Sequence, residues 1–136
     1  MSHLAQTVTE ITDEQALRDT IIETGAVIQE GGVARFYRGQ TSGPVDFRVM
    51  FPDGYDVGFK RTDDGKVAFV HDSEVPKAQT YKGTPSDAVK LWGVGFKNLH
   101  GEYNANLISQ HYRQKGYMVH REVRVDGQIA LTASRG

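Results

Sequence analysis

The sequence predicts an α+β fold: an antiparallel sheet, made of a meander plus a C-terminal hairpin, with an N-terminal helix and one or two late helices on one face. Three observations lead there. Val45, Phe47, Val49 and Phe51 alternate with Asp46, Arg48 and Met50, and after Pro52-Asp53-Gly54 comes the half-apolar run Tyr55-Asp56-Val57-Gly58-Phe59. Helix-start signals stand at Thr12 and Thr84. Two further apolar runs flank Asp126-Gly127 near the end.

Taken in order, Ile11-Thr12-Asp13-Glu14-Gln15 opens the first helix, with Thr12 as cap, Gln15 completing a capping box and Ile11 stapling onto Ala16. Leu17, Ile21 and Thr24 form its inner stripe and Gly25 ends it. A strand is expected at Val33–Arg38, where Val33/Tyr37 and Ala34/Phe36 both offer an apolar face. Residues 39–44 (Gly-Gln-Thr-Ser-Gly-Pro) read as a loop.

In the meander, setting Phe51 opposite Tyr55 places Val49 by Val57 and Phe47 by Phe59 on one face, with Asp46 by Lys60 and Met50 by Asp56 on the other. A second hairpin through Arg61–Gly65 pairs Lys60 with Lys66, Phe59 with Val67 and Val57 with Phe69. Residues 72–84 are polar and irregular. Thr84-Pro85-Ser86-Asp87 caps a helix carrying Ala88, Val89 and Trp92, which Gly93 and Gly95 interrupt. Leu99 to Lys115 is the last helix, with Tyr103, Leu107, Ile108 and Tyr112 at helical spacing. The final hairpin joins Tyr117–Val125 to Gln128–Ala133. A two-residue Asp-Gly turn would set Val123 against Ala130. A three-residue turn over Asp126–Gln128 keeps Val125 with Ile129 and Val123 with Leu131, and is preferred.

The 136 residues suit one domain, 1–136, with 38% hydrophobic and 24% charged content. The absence of cysteine removes disulfides and thiolate chemistry. No apolar run reaches the roughly 20 residues of a membrane span, and Met1-Ser2-His3 is no signal peptide. These features fit a cytoplasmic, organellar-stroma or virus-encoded intracellular protein rather than a secreted one. Net charge is −1, against wholesale electrostatic binding of nucleic acid, but it is uneven. Glu10, Asp13, Glu14, Asp19, Glu23 and Glu30 oppose Arg18 alone near the start, whereas Arg113, Lys115, Arg121, Arg124 and Arg135 outnumber Glu122 and Asp126 at the end.

Met1-Ser2-His3, the Thr12-Asp13 start, Phe36-Tyr37-Arg38-Gly39-Gln40, Tyr55-Asp56-Val57-Gly58-Phe59, Gly116-Tyr117 and Asp126–Leu131 stand in an order that resembles the Ycf-thirty-five family. This is a conserved plastid and cyanobacterial family of unknown function, with further relatives in other bacteria and phages. The resemblance covers both ends of the chain. It departs at the last long helix, where the family's Gln-x-Tyr-Ala pattern keeps only Tyr103, with Gly101 and Asn104 at the glutamine and alanine positions. Val75–Lys97 does not align. The resemblance implies a small accessory protein, with bacterial relatives encoded near an AAA-type ATPase, and it brings no catalytic residue.

Candidate sites are few. His3, His71, His100, His111 and His120 lack metal-ligand spacing, so no metal or other cofactor is expected. Residues 38–43 are glycine-rich but lack the Walker lysine, and Ser42 has no evident triad partners. Asp46, Arg48, Asp56 and Lys60 read as a charged outer face on which Gly58, opposite Arg48, leaves a notch. Arg38, Gln40, Arg48, Asp56 and Gly58 are therefore the expected partner surface of a non-enzymatic accessory or adaptor protein acting through protein–protein contact or self-association. The alternative is a single-stranded nucleic-acid module using Tyr117, His120, Arg121 and Arg124, although Arg121 faces away from His120 and Arg124.

Overall fold

The computed structural model describes residues 4–36 and 39–135. It is an α+β fold. In chain order the elements are β1 (Leu4–Val8), α1 (Glu14–Glu23), β2 (Ile28–Glu30), β3 (Val33–Phe36), β4 (Gln40–Pro44), β5 (Phe47–Val49), β6 (Val57–Arg61) and β7 (Val67–Asp72). Then come α2 (Asp87–Trp92), a 3-10 turn (Val94–Phe96), α3 (Lys97–Gln114), β8 (Met118–Val123) and β9 (Ile129–Ser134). The main sheet has five antiparallel strands in the order β1-β7-β6-β5-β2, and β3–β4 and β8–β9 are separate two-stranded sheets.

The meander forms because its inner side chains are large, apolar and alternate. Phe47, Val49, Val57, Phe59, Val67 and Phe69 are all at most 2% exposed. Phe59 stacks on Phe47 and meets Phe69 edge-on, both at 4.8 Å between ring centroids. Burying each such side chain stabilises the fold by about 1.5–3 kcal/mol. The helices cover this face, with Trp92 edge-on to Phe51 and Phe59, and Phe96 beside Phe69. Trp92 is fully buried and its indole N–H donates to Thr24 Oγ1 at 3.1 Å, tying α2 to the end of α1.

The β5–β6 register is the expected one: Phe47 faces Phe59, Arg48 faces Gly58 and Val49 faces Val57. The β6–β7 register differs from expectation by two residues, with Phe59 opposite Phe69 and Arg61 opposite Val67. Thr62 N–H donates to Lys66 O, so the connection shortens from the expected five residues, Arg61–Gly65, to three, Asp63–Gly65. A two-residue slip keeps every side chain on its face, and alternation alone does not choose between such registers. At the C-terminus Arg124 N–H bonds to Gln128 O, so the loop is three residues, Val125–Gly127, one position earlier than expected. Gly127 at φ +84° supplies the left-handed third position that this turn requires. Val123 consequently faces Ile129 rather than Leu131.

Two strands, β1 and β2, and strand β4 were not anticipated; residues 40–44 pair with β3 instead of forming a loop. Helix caps also move. Asp13, not Thr12, caps α1 by accepting from Ala16 N–H, and Ser86, not Thr84, caps α2 by accepting from Val89 N–H. Ser86 Oγ also donates to Val75 O, which anchors the otherwise irregular segment before α2. In each case the residue nearest the first turn wins, because its oxygen reaches the orphan amides.

Candidate functional site

The expected notch on the outer sheet face is filled by the chain itself. The β3–β4 hairpin lies across that face, opposite the helices. A Cβ at Gly58 would sit 2.7 Å from Val45 Cγ1 and 3.4 Å from Ala34 Cβ, so the missing side chain admits β3 rather than a ligand. Asp56, expected to face solvent, is 0% exposed. Its carboxylate accepts from Arg35 N–H, Arg35 Nε and Arg35 Nη2, each at 2.9 Å, and from Phe51 N–H at 3.2 Å. Arg35 Nη2 also donates to Phe51 O at 3.1 Å. The bond to Asp56 holds the Arg35 pKa above its ordinary value. Asp56 is thus the bolt joining β3 to the β5–β6 turn, and its partner Arg35 was missed because β3 offered two possible faces.

Arg48 is drawn inward as well. Its Nη1 donates to Gly31 O at 2.5 Å, and a Cβ at Gly32 would overlap that guanidinium at 1.9 Å. Its Nε is buried without a partner. Asp46 Oδ2 accepts from Arg61 N–H instead of pairing with Lys60. Gln40 is exposed, at the start of β4 opposite Phe36, while Arg38 lies outside the described residues. Gln40, Arg48, Asp56 and Gly58 therefore do not form one open surface.

The open surface lies at the other end. The face of β8–β9 that carries Arg121, Val123, Ile129 and Leu131 leans on α3, and between them, α1 and Trp92 runs a groove of about 1090 Å³. The helix explains why it stays open. Of the expected stripe on α3, Tyr103 is buried, but Ile108 is 47% and Tyr112 38% exposed, while small Ala105 and Ser109 take the buried positions. Asn106 braces the groove floor by donating to Thr20 Oγ1 and Glu23 Oε2. Arg121 bonds to Glu102 across the groove wall. Met118 and Val123 are more than 60% exposed, and Val125 at the tip is fully so.

Of the four nucleic-acid candidates, Arg121 is thus committed to Glu102, while His120 and Arg124 are exposed on the strand's other face or tip. Tyr117 belongs to a separate cluster: it meets Tyr112 edge-on at 5.5 Å, and the Arg135 guanidinium sits 4.7 Å from its ring centre. Tyr112 and Tyr117 were read from sequence as aromatics interleaved with the basic residues, but Arg135, counted there only toward the basic C-terminal balance, was not placed beside Tyr117.

The described histidines are dispersed. His71 is buried edge-on to Phe96, and its Nδ1 lies 2.9 Å from Asp72 O; burial pushes its pKa down against the bond and charge of Asp72. His100 stacks on Phe69 and burial lowers its pKa too. No group of three or more metal-ligating side chains occurs among the described residues, and no described helix is long and apolar enough to cross a membrane. Comparison of the chain with protein-family models, with curated proteins and with solved structures returns no match.

Proposed function

We propose that the chain is a non-enzymatic accessory module that engages another protein through its C-terminal hairpin and the groove between that hairpin and α3. One observation carries this reading: the main packing of β8–β9 is on α3, which leaves Val123 and Ile108 exposed along an open groove and Val125 exposed at the hairpin tip. Arg113, Lys115 and Arg124 rim this end, and no ion pair joins them to another described residue. The fitting partner presents an apolar segment flanked by acidic residues. An AAA-type ATPase, suggested by the family resemblance, is the first bait.

The test is co-purification with that bait and from cell extract, comparing the wild-type chain with Val123→Asp. A stoichiometric partner held by wild type and lost by a variant with unchanged thermal midpoint supports the reading. A wild-type chain that elutes alone from both sources, or a partner indifferent to Val123→Asp, overturns it.

The Tyr112–Tyr117–Arg135 cluster favours a second reading, stacking of single-stranded nucleic acid. That reading expects salt-sensitive retention of an oligonucleotide, lost in Tyr117→Ala. No retention at low salt disposes of it.

A further inference from the structure

The two edges of the main sheet are built differently. At one edge, β2 is only three residues long, carries Glu30 and is clamped by Arg18, whose guanidinium bonds to both Glu30 oxygens while stacking 4.1 Å over Phe47. Short length and a fixed charge are common protections against strand addition. At the other edge, β1 runs five residues, Leu4-Ala5-Gln6-Thr7-Val8, with no charge, no proline and no described strand beyond it. Leu4 is 50% and Val8 55% exposed.

The hydrogen-bond phase of β1 follows from its partner. Thr9 N–H donates to Val67 O, in the same register that sets Leu4 opposite Asp72 and Val8 opposite Ala68. Antiparallel pairs alternate between bonded and non-bonded. The backbone groups of Ala5 and Thr7 therefore point at β7, and those of Leu4, Gln6 and Val8 point outward. That outward set reads the same in both directions: apolar, Gln, apolar.

We infer that β1 pairs antiparallel with β1 of a second copy, about a two-fold axis through Gln6. In this register Gln6 meets the other Gln6, and each Leu4 meets the other copy's Val8. All these are outward-bonding positions, so the edge groups of one strand satisfy those of the other. Shifting by one residue would set outward groups against inward ones, and shifting by two would leave an apolar end unpaired. Electrostatics permits the approach. The stretch Leu4–Thr9 is uncharged, so the axis brings no like charges together, and the stretch Ala68–His71 behind it on β7 carries no carboxylate or lysine or arginine. The side chains of Leu4, Gln6 and Val8 lie on the sheet face opposite Phe69, where the pairing covers exposed apolar surface. Two five-residue strands make a small contact, below about 1,200 Å² in total, so the association belongs to the weak class. The interface is separate from the C-terminal groove and does not depend on its role.

The test is sedimentation of the full chain from about 1 μM to about 1 mM, the range in which weak pairs dissociate. Wild type is expected to shift from monomer to dimer. Gln6→Lys and Gln6→Glu each place like charges across the axis and remain monomeric, and mixing them restores a dimer at least tenfold tighter than either alone. Because the chain has no cysteine, Gln6→Cys gives a second readout. Hydrogen-bonded partners lie about 5.5 Å apart at Cα, within the roughly 4.4–6.8 Å span of a disulfide. Oxidation therefore cross-links Gln6→Cys and not Thr7→Cys, whose two copies are offset along the strands. A monomer throughout the range overturns the inference. So does a dimer indifferent to Gln6→Lys, which would place self-association elsewhere, for example at the edge of β9.

Discussion

The molecule carries two small hairpins, and their contrast explains where function can sit. β3–β4 lies flat on the main sheet. Ala34 touches the space above Gly58, and Arg35 delivers its guanidinium to the fully buried Asp56. β8–β9 packs chiefly against α3, and most of its residues remain exposed. Both are antiparallel ladders of similar size, so strand propensity does not separate them. The difference is the partner. The first hairpin finds a flat sheet face with a glycine that admits its backbone, and the second finds the rounded side of a helix whose apolar stripe is only partly used.

Breaking the first hairpin has the largest expected effect. Asp56→Ala leaves the Arg35 and Phe51 amides and the Arg35 guanidinium without their acceptor, and should cost about 3 kcal/mol in urea denaturation. Arg35 is partly exposed and water can recover some of that loss. A change under about 1 kcal/mol would mean that Asp56 is not the bolt described. Gly58→Ala forces a Cβ against Val45 and should cost about 1–3 kcal/mol. Adding Val45→Ala should recover part of it, and additive losses in that double-mutant cycle would deny the contact.

The helix-covered face brings a pH dependence. His71 and His100 both have folded pKa values lowered from 6.5 by burial, so folding favours their neutral forms. Their contribution is fully present above the unfolded pKa and is lost as pH falls through the folded values. Thermal midpoints should therefore drop on acidification below about pH 6.5, and the drop should shrink in His71→Gln. An unchanged slope in that variant would remove His71 from the account. At the open hairpin the expected effect is the smallest: Val125→Asp should move stability by no more than about 0.5 kcal/mol. Amides of β8–β9 should also exchange with solvent before those of β6 and β7. Slow exchange there would show that the hairpin is held more firmly than its exposure implies.

The Tyr55–Phe59 motif and the C-terminal groove draw on different residues. The motif is structural: Tyr55, Val57 and Phe59 enter the core, Asp56 pins β3, and Gly58 makes room for it. None of the motif's side chains is offered to solvent. The open groove instead draws on α3 and β8–β9, where sequence reasoning had weighed basic residues one strand face at a time.

By itself the sequence determined the meander, the α1 and α3 helices with Leu17, Ile21 and Tyr103 inside, the β5–β6 register and the turn glycines. Those follow from local periodicity and from pairs a few residues apart, where both sheet faces constrain the same register. Tertiary structure alone decided the β6–β7 slip, the burial of Asp56, the use of Gly58 and the phase of the β1 edge. The physical reason is common to all four. Each depends on which segment covers which face, and a charged or glycine position in a strand reads as surface until a distant chain, here β3, arrives with the matching donor and the matching shape.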